Sequence, residues 1–173
     1  MNNDQLNSPD AKAILARRKA VVAEEKLDYI SQKNNFILVF KVDELQKYAL
    51  SYTQIEYVIP YQQTTAVPGA DPIFSGVIYY NNEVWPVISC HRLFKMQDQE
   101  TVSFFILCRK DMQRLALSVN KIVGQLSLKE NEELFPLVNE KVNKNSYVQG
   151  IYQIDIALID LDAIFNILTP KLL

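Results

Sequence analysis

The feature that most constrains the fold of this chain is an internal repeat. Residues 103–127 lie over residues 36–60 without a gap, and both segments carry the tripeptide Ala-Leu-Ser at the same point. A second match follows in the same order, between residues 76–94 and residues 150–165. Two matches in one order indicate a duplicated structural unit.

Each repeat has the pattern of short antiparallel strands. The run Phe-Ile-Leu-Val-Phe-Lys-Val from Phe36 is apolar and rich in strand-forming residues, and Ile-Glu-Tyr-Val-Ile-Pro follows as another strand. Residues 65–94 read as a strand, a two-residue turn at Asn81-Asn82, a second strand and a short helix. Asn tolerates the positive φ of a primed hairpin turn. Strands this short usually curl into barrels or pack against a second sheet, so we predict a mainly β fold of two packed, five-stranded β-barrel subdomains.

The expected domain organisation has three parts. Residues 1–35 form a polar segment and a helix that begins at Ser8. The first barrel covers about residues 36–94 and the second about residues 101–168, with an exchange of strands between them left open, and short capping helices close both units. We interpret the first helix as a solvated helix resting on the domain, although its basic residues at 17–19 also suit docking to another protein.

Composition excludes several classes of protein. The chain has 173 residues, a net charge of −2 and no apolar run near the roughly 20 residues that span a bilayer. We therefore expect a cytoplasmic protein that does not insert into membranes. Tyr79, Tyr80 and Trp85 could stack nucleic-acid bases, but no Lys or Arg lies between residues 76 and 90, so we expect no nucleic-acid partner.

No motif for catalysis or cofactor binding is present. His91 is the single histidine, and we expect it at the surface where the short helix opens. Cys90 and Cys108 are 18 positions apart and form no CxxC pair, which indicates small buried side chains. No metal-ligand spacing and no phosphate-binding glycine motif occurs. We therefore predict no enzyme activity, catalytic residue, metal or cofactor.

Phe36 to Leu168 resembles the CheW-like domain, the adaptor that couples chemoreceptors to the histidine kinase CheA. The resemblance rests on Tyr-Ala-Leu at 48–50, on Val67, Pro68 and Gly76, on Pro-Val-Ile at 86–88 and on Leu-Ala-Leu-Ser-Val-Asn-Lys-Ile-Val-Gly at 115–124. It implies two five-stranded, SH3-like barrels packed on each other. It also implies two partners, a CheA-type kinase on one barrel surface and the helical tip of a chemoreceptor in the groove between barrels.

The chain departs from the family pattern where that pattern supports contacts. The family's Asn-Leu-Arg-Gly hairpin corresponds to residues 79–82, so the turn Arg becomes Asn81. A family Glu corresponds to Tyr57, with Glu56 one place away on the opposite strand face. The Asp after the Pro-Val-Ile motif is Ser89.

The resemblance implies a non-enzymatic adaptor of chemosensory signalling. The candidate partner-binding residues are Ile55, Tyr57, Val58, Tyr79, Tyr80 and Asn81. For Ile55, a place in the core is an equally good interpretation. The alternative function is a divergent module of the same fold that regulates another partner, such as a pilus or a signalling enzyme, outside the standard array.

Overall fold

A computed structural model describes residues 36–96, 101–128, 135–136 and 147–168. The predicted mainly β fold is confirmed, with two sheets of short strands and short helices. The predicted N-terminal helix lies outside the described residues. The elements are β1 (Phe36–Lys41), β2 (Lys47–Ser51), a 3-10 turn (Tyr52–Gln54), β3 (Ile55–Pro60), β4 (Phe74–Tyr80), β5 (Glu83–Ser89), α1 (Cys90–Leu93), β6 (Phe104–Lys110), β7 (Gln113–Val119), β8 (Lys121–Ser127), β9 (Phe135–Pro136), β10 (Val148–Tyr152), β11 (Ile156–Ile159) and α2 (Leu161–Leu168).

The two sheets exchange strands between the repeats. One sheet has the order β8-β1-β2-β11-β10-β9 and the other has the order β3-β6-β7-β5-β4. The third strand of each repeat therefore pairs with the first strand of the other repeat, β3 with β6 and β8 with β1, both antiparallel. A parallel pair continues each sheet, β2 with β11 and β5 with β7. Neither sheet coincides with one repeat, and the division into residues 1–35, 36–94 and 101–168 stays a prediction.

Three apolar clusters hold the sheets. The largest lies between them, because β1 and β2 contribute Leu38, Phe40 and Leu50 while β6 and β7 contribute Ile106 and Leu117. Helix α2 covers the same cluster. Each sheet also encloses a smaller cluster of its own, one built on fully buried Trp85 and the other on Tyr152.

Local sequence chemistry explains the turn and the helix starts. The β4–β5 turn has φ of 50° at Asn81 and 62° at Asn82, which is the predicted primed turn. Ser89 Oγ accepts a hydrogen bond from Arg92 N at 3.1 Å, and Asp160 Oδ1 accepts one from Ala163 N at 3.0 Å. Both oxygens satisfy amides that the first helical turn leaves unpaired.

The buried position of His91 corrects the sequence prediction of a surface residue. Its side chain is buried in α1, which packs against β7. Because α1 has only four residues and lies against a sheet, little of its surface faces solvent. His91 near its start is therefore buried. Cys90 and Cys108 are both free thiols and fully buried, as predicted. Burial raises the pKa of the Cys108 thiol, so this group is unsuited to act as a nucleophile.

Candidate protein-interaction surface

Three of the candidate residues meet at the turn of the β4–β5 hairpin. The rings of Tyr57 and Tyr80 lie 5.2 Å apart at 65°, an edge-to-face pair. Asn81 Nδ2 donates a hydrogen bond to the Tyr57 hydroxyl at 3.2 Å. Trp85 Nε1 donates to the Tyr80 carbonyl at 3.2 Å, which ties the turn to the buried core below it. We call Tyr57, Tyr80 and Asn81 the turn cluster.

The other candidates lie elsewhere on the sheet. Tyr79 is exposed, and its hydroxyl donates to Asn82 Oδ1 at 3.3 Å. Because side chains alternate along a strand, Tyr79 faces away from Tyr80 and exposed Val58 faces away from Tyr57. Ile55 is half-buried and packs against the large core, so its position agrees with the structural interpretation.

A group of charged residues adjoins the turn cluster. Arg109 on β6 donates to Glu56 and to Glu83, and Arg114 Nη1 lies 2.8 Å from Glu83 Oε1. These four side chains are each 28–30% exposed and carry two charges of each sign. We call them the charge network. It crosses β3, β6, β7 and β5, and it presents no net charge to a partner.

The charge network also covers Trp85. The guanidinium carbons of Arg109 and Arg114 lie 5.1 Å and 5.9 Å from the centre of the indole ring. Cations in this position are attracted to the ring face. The hydrogen bond to Glu56, and to a smaller extent the one to Glu83, raises the pKa of Arg109, so its side chain stays charged. Arg109 and Arg114 are direct cross-strand neighbours, and Glu83 relieves the repulsion between them.

The position of Glu56 differs from the sequence prediction. We expected Glu56 on the strand face opposite Tyr57. A register shift in the β3–β6 pair between Ile55 and Tyr57 interrupts strict alternation. Glu56 therefore binds Arg109 over Trp85, while Tyr57 packs into the same small core. A bulge of one residue is invisible in the sequence pattern.

The two arginines of this surface were not predicted from the sequence. Arg109 and Arg114 belong to the second repeat, and the strand exchange brings them against β3 and β5 of the first repeat. The sequence carried one signal, because Arg109 and Arg114 flank a tight turn, and like charges that face each other on paired strands are destabilising unless an acidic residue lies nearby.

An apolar groove lies on another part of the hairpin. Its volume is about 510 Å³, and it runs between the 67–70 loop, strands β4 and β5, and the end of helix α2. Its lining residues are mostly apolar; they are Val67, Ala70, Phe74, Gly76, Val77, Pro86, Ile167 and Leu168. A groove of this chemistry suits the apolar face of an amphipathic helix.

The described part of the chain contains neither a metal-binding cluster nor a membrane-spanning helix. Within residues 36–96, 101–128, 135–136 and 147–168, no three His, Cys, Asp or Glu side chains lie close enough together to hold a metal ion. No helix in that part of the chain is long and apolar enough to cross a membrane.

Comparison with known proteins agrees with this architecture. The family model of the CheW-like domain matches residues 37–168. The chemotaxis protein CheW of Thermotoga maritima is 27% identical over 139 residues, covering 78% of this chain and 90% of that protein. The chemotaxis protein CheW of Bacillus subtilis is 34% identical over 64 residues, which cover 37% of this chain and 40% of that protein.

A solved structure supports the fold. The crystal structure of the scaffolding protein TtCheW from Thermoanaerobacter tengcongensis superimposes with a TM-score of 0.64 at 22% identity, covering 73% of this chain and 88% of that one. The strand exchange, the hairpin frame and the family match across both repeats lead to one conclusion: this chain belongs to the CheW-like domain family.

Proposed function

We propose that this protein is a non-enzymatic adaptor that couples a chemoreceptor or related sensor to a CheA-type histidine kinase in bacterial chemosensory signalling. The family match over residues 37–168 is the observation that carries the proposal. The relatives named chemotaxis protein CheW support the same pathway. Such an adaptor works in the cytoplasm, where both partners present their signalling domains.

The apolar groove is the proposed site for the helical tip of the receptor. Helix-in-groove binding needs a few apolar anchors and no bond chemistry, and the groove has apolar walls from Val77, Pro86 and Leu168. Val67 at its rim is 46% exposed, so it can be changed without opening the core.

The turn cluster is the proposed contact with the kinase. Tyr57 and Tyr80 supply rigid aromatic area, and the hydrogen bond from Asn81 holds the Tyr57 hydroxyl in place. Aromatic residues of this kind often dominate the energy of protein interfaces. The charge network beside it is internally paired, so this surface favours a partner with little net charge at the contact.

Co-purification with a CheA-type kinase and a receptor-tip fragment tests both sites. We expect Val67→Asp to weaken binding of the receptor fragment at least about tenfold and to leave kinase binding unchanged. Tyr80→Ala should weaken kinase binding and leave binding of the receptor fragment unchanged. Met112→Asp, an exposed apolar residue at the β6–β7 turn, is the control and should change neither. No complex at tens of micromolar with either partner would contradict the adaptor function.

A second function is favoured by one observation. Where the family resemblance implies a Glu and an Arg, this chain has an uncharged hydrogen-bonded pair, Tyr57 and Asn81. A partner that recognises those charges loses its complement here, because deleting a charged partner penalises a specific interface. The alternative is therefore a CheW-like module that regulates a different protein outside the standard array. Kinase binding restored by Tyr57→Glu with Asn81→Arg, from undetectable in the native protein, would favour this alternative.

A further inference from the structure

Two neighbouring hairpin tips each expose an aliphatic side chain almost completely. Leu45 in the β1–β2 turn is 91% exposed, and Ile154 in the β10–β11 turn is 89% exposed. The two turns are neighbours because β2 and β11 pair in parallel and begin at the same end of the sheet. Gln46 Nε2 donates to the Asp155 carbonyl at 2.8 Å, and Lys47 Nζ lies 2.6 Å from Asp155 Oδ2. We call Leu45 and Ile154 the paired tips.

The backbone at Ile154 is strained. Gln153 and Ile154 have φ of 49° and 75°, which are positive like those of Asn81 and Asn82 in the β4–β5 hairpin. Asn and Gly accept this conformation, but for a β-branched residue it is an outlier. Such strain concentrates at functional positions, where the side chain matters more than the turn. The turn therefore holds an isoleucine in solvent at a cost in stability.

A cleft opens directly beside the paired tips. Its volume is about 340 Å³. Its lining is about equally polar and apolar, with apolar side chains from strands β1, β8 and β11 beside the charged pair Lys47 and Asp155. The lining residues are Val39, Lys47, Val123, Gly124, Gln125, Leu126, Gln153, Asp155 and Ile156. A cavity of roughly 150 Å³ holds a benzene ring, so by volume this cleft has room for two aliphatic side chains against its apolar residues.

We propose that the paired tips and the cleft form the contact of a symmetric homodimer. In this arrangement Leu45 and Ile154 of one copy enter the cleft of the second copy, and the reverse contact forms at the same time. A projection and a recess on one surface are self-complementary under a two-fold axis, which is what an isologous interface requires. Lys47 and Asp155 pair with each other within one copy and line the cleft, so a two-fold axis can also bring the opposite charges of two copies together.

This interface is separate from the proposed partner sites. The paired tips belong to the six-stranded sheet, whereas the turn cluster belongs to the five-stranded sheet. The apolar groove shares no lining residue with the cleft. A substitution can therefore abolish dimerisation without affecting partner binding, and a substitution at a partner site can leave dimerisation intact.

Sedimentation velocity over a range from about 1 µM to about 100 µM tests the proposal. We expect the native protein to approach twice its monomer mass with rising concentration. The double variant Leu45→Ser with Ile154→Gly should remain a monomer throughout, and Val123→Asp in the cleft should do the same. Met112→Ser is the matched control, because Met112 is an 87% exposed apolar residue at a hairpin turn of the other sheet. It should dimerise like the native protein.

A second variant separates loss of contact from loss of fold. Gln153→Asn with Ile154→Gly puts residues that accept a positive φ at both strained positions of this three-residue loop. Its denaturation midpoint should rise at concentrations where the native protein is a monomer, and its dimer should disappear. A native protein that stays monomeric at the highest concentration overturns the proposal, as do native species larger than a dimer. A double tip variant that still dimerises overturns it as well. The proposal is also overturned if the native protein is a monomer and the tip variant no longer binds a different protein. In that case the paired tips belong to the interface with that protein.

Discussion

Asn81 on the β4–β5 turn donates a hydrogen bond to the hydroxyl of Tyr57 on β3, across 3.2 Å. The two residues are 24 positions apart in sequence and sit at opposite edges of the five-stranded sheet order. The sheet must curl for its edges to meet in this way. This contact therefore closes one end of the sheet and assembles the turn cluster.

Asn81→Gly separates the turn role of this residue from its contact role. Gly adopts a φ of 50° without strain, so the hairpin should keep its conformation. Loss of one exposed hydrogen bond should lower the free energy of unfolding by under about 1 kcal/mol. The free energy of kinase binding should fall by much more than this, because the Tyr57 hydroxyl is no longer held in place. Tyr57→Phe removes the same hydrogen bond and should reproduce both effects; unchanged kinase affinity in both variants would remove Asn81 from the proposed interface.

Gly76→Ala should strongly destabilise the fold. An added Cβ would lie 2.3 Å from the Thr65 carbonyl oxygen, where residue 65 pairs with Val77 through two hydrogen bonds of 2.8 Å. Together with a φ of 129°, this clash should lower the free energy of unfolding by more than about 2 kcal/mol, measured by chemical denaturation. Gly69→Ala is the control. Gly69 also has a positive φ, of 75°, but no atom lies near its missing Cβ, so only the strain of about 1 kcal/mol is expected.

Arg109→Met should destabilise the five-stranded sheet. The change leaves Glu56 without its cation and removes the nearer of the two cations over Trp85. Glu83 keeps Arg114, so the loss should be partial. Lys110→Met is the matched control, since the pair of Lys110 with Asp162 at 2.8 Å is about half-exposed and such pairs contribute little. Equal denaturation midpoints for the two variants would contradict a structural role for the charge network.

Stability should fall at high pH through Tyr48. Burial, helped by the charge of Asp43, raises the pKa of Tyr48 from its ordinary value near 10 to about 12. The unfolded chain therefore loses this proton first, and the folded state loses stability as pH rises from about 10 to about 12. Tyr48→Phe should make the free energy of unfolding less steep over that interval. An unchanged slope in the variant would mean that Tyr48 ionises equally in both states.

The local elements were predictable because their signals are local. The apolar runs predicted β1 to β3, and Asn81-Asn82 predicted the primed turn that the structure contains. The burial of Cys90 and Cys108 followed from their spacing, which forms no CxxC pair. His91 was predicted wrongly because burial depends on what packs over a short helix, and neighbouring residues in sequence do not report that.

The candidate surface was predictable only in part. Tyr57, Tyr80 and Asn81 were chosen by their positions in the family pattern, and the structure brings these three together. It places Ile55, Val58 and Tyr79 elsewhere. The charge network escaped prediction because Arg109 comes from the second repeat and both of its partners come from the first.

The sequence by itself determined the duplication, the strands, the hairpin turn and the family, because repeat spacing, apolar alternation and positive-φ residues act within a few positions of the chain. Only the tertiary structure decided which strands pair. The exchange of β3 and β8 between the repeats is driven by burial of a core shared by both sheets, and that burial joins residues far apart in the chain. The same exchange brings Arg109 to Glu56, and curling of the sheet brings Asn81 to Tyr57. It is also tertiary pairing, of β2 with β11, that places Leu45 beside Ile154.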